Sequence, residues 1–167
     1  MRGAEEFDLV MAVIRGDADE VRRAHDAGVD LATVTAPGGS GSLLGWAAEW
    51  GRTEILAYLL SHGIEAESHA LSRAAHKGHA EAVRLLLDHG MNPDLPTAWP
   101  PLRAAADRGS PECVQALLEA GARVDVRAGP QSGRWGGKTP RELATMRPAE
   151  GTAEILRLLT SPRLDST

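Results

Sequence analysis

Residues 78–90 read GHAEAVRLLLDHG, and this segment decides the fold. Glu81 stands three positions after the opening glycine, and Gly90 closes the segment twelve positions after it. Between them Ala82, Val83, Leu86 and Leu87 recur at helical spacing, so their side chains share one face of a helix. The acid falls in the first turn, where the helix macrodipole favours negative charge. A closing glycine suits the left-handed residue that ends many helices. A helix this short must bury its one apolar face against a neighbour.

The same design recurs as GDADEVRRAHDAG (16–28), GRTEILAYLLSHG (51–63) and GSPECVQALLEAG (109–121), and in reduced form as GTAEILRLLT (151–160). The acid is present each time, as Asp19, Glu54, Glu112 and Glu154. Upstream of three of the openings a second short helix carries a small-residue pair, Ala47-Ala48, Ala74-Ala75 or Ala105-Ala106. Alanine at these places lets two helices approach closely. The unit is helix, turn, helix and loop, with opening glycines spaced by 35, 27, 31 and 42 residues. Their mean spacing, about 34, falls among the periods of stacked helical repeats.

Three units, SLLGWAAEWGRTEILAYLLSHGIE (42–65), HALSRAAHKGHAEAVRLLLDHGMN (69–92) and PPLRAAADRGSPECVQALLEAGAR (100–123), resemble the ankyrin-repeat family. That family's pattern runs from a Thr-Pro-Leu-His start through an Ala-Ala pair and Gly-His to an acid with apolar pairs and a closing Gly-Ala-Asp. The fifth unit keeps Thr139 as N-cap, Pro140 at the first helical position, and a later EILRLL (154–159). The resemblance implies an all-α solenoid of stacked helix-turn-helix units with short or irregular β-finger loops. It covers residues 7–160 and implies one domain over 1–167, with repeats near 7–34, 42–66, 69–94, 100–125 and 139–160. The first and last repeats act as caps, and the long finger loops lie at 31–42 and 124–138. The family's first-helix histidine, which steadies neighbouring repeats, is replaced by Gly45, Ser72 and Arg103.

Apolar residues make up 43% and charged residues 25%, a globular balance. Asp and Glu number 23 against 18 Lys and Arg, a net charge of −5, which disfavours a nucleic-acid partner because phosphate contacts need a concentrated basic face. No run approaches the roughly 18 apolar residues of a membrane span. The first residues carry Glu5, Glu6 and Asp8 where a secretory signal would be apolar, so a cytoplasmic protein is expected. The single cysteine, Cys113, forms no internal disulfide and sits on the apolar side of its helix, where a buried, inert thiol is expected.

The resemblance implies that binding uses the finger tips and the two residues before each helix-2 glycine, which face a concave groove. Those pairs are Ile14-Arg15, Glu49-Trp50, His76-Lys77 and Asp107-Arg108, with Trp46, Arg73 and Ala104 in the adjacent half-exposed place. Tryptophan and arginine dominate binding hot spots. The expected binding set is therefore Trp46, Trp50, Arg73, His76, Lys77, Trp99, Asp107, Arg108 and Trp135. Trp46 also suits a core-filling role, whereas the register of Trp50 points away from the stack. Trp99, before Pro100-Pro101, either packs a shortened finger or meets a partner. Trp135 either anchors its glycine-rich loop or meets a partner.

The expected function is non-enzymatic recognition of a protein partner, with no cofactor. One alternative is a small-molecule or acid–base groove using Glu49, His76 and Asp107, which stand in three successive repeats. Another is an inhibitor or regulatory subunit of a neighbouring enzyme. The six histidines suggest no metal site, because equivalent positions in stacked repeats lie about 10 Å apart while zinc ligands must converge at about 2.0–2.3 Å. The stretch ending Gly136-Gly137-Lys138-Thr139 fails the P-loop pattern at Ser132, where glycine is required.

Overall fold

The computed structural model describes residues 2–36, 41–94, 99–127, 136–146 and 150–160. Within them ten helices run in five antiparallel pairs: α1 (Arg2–Arg15) with α2 (Ala18–Asp26), α3 (Leu43–Glu49) with α4 (Thr53–Ser61), α5 (Ala70–Lys77) with α6 (Ala80–Asp88), α7 (Pro101–Arg108) with α8 (Pro111–Glu119), and α9 (Pro140–Met146) with α10 (Thr152–Thr160). The odd-numbered helices pack against one another in one row and the even-numbered helices in a second. The expected helix-turn-helix solenoid is what the chain forms. Among the described residues there is no strand, only an isolated antiparallel bridge between Thr35 and Ser42 in the first long loop. Residues 37–40 and 128–135, the centres of the two long fingers, lie outside the described residues.

Local chemistry explains where the helices start and stop. Asp17, Ser42 and Ser110 each accept a backbone N–H of the first turn through a side-chain oxygen, from Glu20 (3.0 Å), Gly45 (3.1 Å) and Cys113 (3.4 Å). At α9, Thr139 Oγ1 accepts from the Glu142 N–H (3.2 Å) while Glu142 Oε2 accepts from the Thr139 N–H (2.7 Å), a reciprocal capping box. Hydrogen bonds from the backbone and hydroxyl of Thr139 hold the Glu142 carboxyl below its ordinary value. At the far end of α6, Gly90 adopts φ +84°, and the Met91 N–H reaches back to the Leu86 carbonyl (3.1 Å). That is the Schellman arrangement anticipated for the closing glycine. His89 Nδ1 donates to the Leu85 carbonyl (2.8 Å), and His62 Nδ1 does the same to Tyr58 (2.8 Å). These histidines satisfy helix ends.

The two rows enclose one continuous apolar cluster from Leu9 to Leu159. Its inner seam is alanine: Ala47, Ala48, Ala74, Ala75, Ala104, Ala105 and Ala106 are all buried. Leu56, Leu59, Val83, Leu86, Val114 and Leu117 fill the space between the rows. Cys113 is fully buried among them, and burial raises its thiol above the ordinary value.

Stacking also relies on the turn inside each pair. Arg52, the residue after Gly51, reaches over Gly16 of the preceding pair, and its Nε donates to the Ile14 carbonyl (2.9 Å). One repeat on, His79 takes the same place over Gly51 and hydrogen-bonds the Glu49 backbone. Gly16 and Gly51 are thus docking points for the next repeat, and at Gly51 a side chain would obstruct it.

Two of the replaced histidine places are filled in ways the local sequence does not reveal. At Gly45 the free space is taken by the Glu67 carboxylate, which accepts the Ser42 N–H; a Cβ on Gly45 would lie 3.2 Å from Glu67 Oε1. At the second place Arg103 is fully buried, its guanidinium 4.2 Å from the Trp99 ring centroid, with Nε donating to the Lys138 carbonyl (3.2 Å) at the entry to α9. The cation–π stack and the carbonyl offset part of the cost of burying a guanidinium.

Candidate functional site

Helix α5 presents His69 (its N-cap), Ser72, Arg73 and His76 at positions i, i+3, i+4 and i+7, which is one helical face. Glu49, at the end of α3, and Trp99, just before α7, flank that face. Together with Lys77 these residues line a cavity of about 470 Å³ whose walls are mostly carbon. Three successive repeats contribute to it.

The polar groups in the pocket are few and specific. The Glu49 carboxylate lies between two cations, 3.5 Å from Arg73 Nη1 and 3.4 Å from Lys77 Nζ. The Trp99 ring meets the edge of His76, with centroids 6.1 Å apart, while Arg103 covers its other surroundings at 4.2 Å. The buried Trp99 Nε1 has no hydrogen-bond partner among the described residues. Beside the pocket, burial acts to raise the Glu67 carboxyl, but hydrogen bonds from the Ser42 hydroxyl and N–H and the charge of Arg73 outweigh it and hold that group below its ordinary value.

The anticipated residues therefore separate. Arg73, His76, Lys77 and Trp99 share the pocket, and Glu49 joins them. Trp50, the C-cap of α3, is 45% exposed and lies outside the pocket lining. Trp46 is half-buried against the core, and its buried Nε1 also lacks a partner among the described residues. Arg108 is exposed and lies along Gly78, with Nε 3.5 Å from where a Cβ would stand. Asp107, expected on the groove, is only 8% exposed and sits close enough to Arg103 to act on its charge. The reason is packing: α7 is clasped between α5 and α9, and its C-terminal turn goes under cover with it. Trp135 lies outside the described residues. Glu49 and His76 thus meet at one pocket, and Asp107 is not part of it.

Sequence reading did not place His69 and Ser72 at the site, although the i, i+3, i+4, i+7 relation to Arg73 and His76 was available. Arg103 was seen only as a departure from a pattern. No signal within its own repeat marks it as the support beneath Trp99, because its carbonyl partner comes from Lys138, 35 residues away. Among the described residues no group of three or more His, Cys, Asp or Glu side chains is arranged to hold a metal ion, and no helix is long and apolar enough to cross a membrane.

Comparison with known proteins agrees with this architecture. A family model described as ankyrin repeats (3 copies) matches residues 44–128 and 71–165. Cyclin-dependent kinase 4 inhibitor B of Bos taurus is 33% identical over 158 residues, covering 93% of this chain and 93% of that protein. Probable E3 ubiquitin-protein ligase XBOS31 of Oryza sativa subsp. japonica is 33% identical over 146 residues, 81% of this chain; the match spans 32% of the rice protein's length. With its paired helices, glycine-docked turns and alanine seam, the chain belongs to the ankyrin-repeat family.

Proposed function

We propose that this chain is a non-enzymatic recognition module that seats a protein partner in its concave groove, at the pocket of Glu49, Arg73, His76, Lys77 and Trp99. Ankyrin repeats and the likeness to a kinase inhibitor support a role in protein–protein interaction. The observation that carries the finer reading is the pocket itself, an apolar cavity with a few charged groups at its rim, assembled from three successive repeats. Trp50 and Arg108, both exposed, extend the same face toward the partner. The finger loops would complete its edge.

The acid–base alternative finds no support in this geometry. Glu49 is held by two cations and Asp107 is buried away from the pocket. The name of the bovine relative favours instead a second reading, in which the partner is an enzyme and binding inhibits it.

The test is quantitative capture from source-cell lysate on immobilised protein, with Arg73→Ala/Lys77→Ala as the groove variant and Gln115→Ala/Glu119→Ala as a variant of the exposed α8 surface. A protein held by the native chain and the α8 variant but lost by the groove variant supports the proposal. A protein lost by the α8 variant and kept by the groove variant overturns it. Adding the captured protein's own activity assay then separates simple binding from inhibition.

A further inference from the structure

We propose that the pocket between α3, α5 and Trp99 takes an apolar side chain of a partner segment that carries a carboxylate immediately beside it. This rests on the groove reading above and goes further by naming the chemistry of the occupant. The argument is an inventory of donors and acceptors. Arg73 and Lys77 bring several N–H groups, and the rings of His69 and His76 add more. Against them the pocket offers one carboxylate, Glu49, which is already shared between Arg73 and Lys77. Glu67, the nearest other acid, is turned to the hydroxyl and N–H of Ser42.

An occupant rich in acceptors is therefore complementary to this rim, and a cationic one is not. The contrast with the rest of the molecule sharpens the point. The chain carries a net charge of −5, yet its pocket lining has two formal cations and one anion. The carbon walls and the Trp99 ring favour an aliphatic or aromatic side chain on the pocket floor. Lys77 is about half exposed, so a new carboxylate reaches it without uncovering Glu49. A carboxylate without an apolar neighbour would leave the floor unfilled.

The experiment titrates the ¹⁵N-labelled chain with three capped dipeptides, N-acetyl-Leu-Glu-amide, N-acetyl-Leu-Gln-amide and N-acetyl-Leu-Lys-amide, and with sodium acetate. The indole N–H signal of Trp99, assigned with Trp99→Phe, is the readout. Such small probes bind in the millimolar range. The Glu peptide is expected to bind about fivefold more tightly than the Gln peptide, one half-exposed ion pair's worth, and the Lys peptide more weakly still. In Arg73→Gln/Lys77→Gln, with an unchanged urea midpoint, the Glu and Gln peptides are expected to bind alike.

Equal or tighter binding of the Lys peptide overturns the proposal, as does acetate moving the Trp99 signal at the same concentration as the Glu peptide. If the Lys peptide wins while the groove variant still loses its captured protein, the groove reading stands and only the chemistry falls. If no peptide moves Trp99 and capture is indifferent to the groove, both fall.

Discussion

The imidazole of His79 lies against Gly51 of the preceding repeat so closely that a Cβ on Gly51 would stand 2.6 Å from Nδ1. Gly51 is also at φ +62°, a conformation L side chains rarely adopt. Gly51→Ala is expected to destabilise the protein by about 3 kcal/mol, combining backbone strain with the lost approach of the next repeat. Gly63 has φ +74° and nothing within 4 Å of its added Cβ, so Gly63→Ala is expected to cost only the backbone share, about 1 kcal/mol. Urea unfolding of both variants checks the difference; equal midpoints would mean that the His79 contact contributes nothing.

The same histidine makes stability depend on pH. Burial pulls its folded-state pKa below the ordinary value, aided by the charges of Arg108, Arg52 and Lys77 and opposed by the hydrogen bond to the Glu49 backbone. The unfolded chain then binds more protons, so this contribution is complete above the unfolded value of about 6.5 and declines as pH falls through it toward the folded value. Thermal unfolding between pH 7.5 and 5 should show a smaller loss of stability in His79→Gln than in the native chain. An identical loss in both would remove His79 as a source of the pH dependence.

Arg103 joins the fourth repeat to the fifth through the Lys138 carbonyl while stacking on Trp99. Arg103→Ala removes both and opens space in the seam, with an expected cost of about 3 kcal/mol. Arg103→Lys should recover little, because an ammonium neither stacks as a plane nor places its donor at the guanidinium's position. Hydrogen exchange should show α9 and α10 losing protection before α3 and α4. Uniform loss along the stack would argue against a local joint.

Trp50 is 45% exposed and lies on the proposed partner face. Trp50→Ala is expected to change stability by less than about 0.5 kcal/mol, the range of surface substitutions, while weakening partner capture. Unfolding of the variant would place Trp50 among the residues that hold the stack together.

Cys113 is fully buried, and burial raises its thiol pKa against the opposing hydrogen bond with Ser110. The native protein should react with a thiol reagent only at the rate of opening, and fully once denatured in urea. Fast stoichiometric labelling of the native state would contradict this burial.

Much of the fold is legible from local spacing. The segment 78–90 states its own helix, its acidic first turn and its closing glycine, and the structure places each there because capping and periodicity are decided within a few residues. Thr139 and Pro140 announce the start of α9 for the same reason. The order of the stack follows, since each short helix pair can bury its apolar face only on its neighbours in sequence.

The candidate site is less legible, and three equivalent positions show why. Glu49, His76 and Asp107 share one place in their repeats, and the sequence treats them alike. In the folded chain Glu49 is half-buried between Arg73 and Lys77, His76 stands exposed against Trp99, and Asp107 is covered beside a buried arginine. Likewise, nothing near Gly45 says that Glu67, from the following loop, will occupy its missing side chain's space. By itself the sequence determined the helices, their caps and their stacking, because those depend on neighbours along the chain. Only the tertiary structure decided which side chains at matching register meet solvent, a pocket or a buried partner, because that depends on side chains contributed by other repeats.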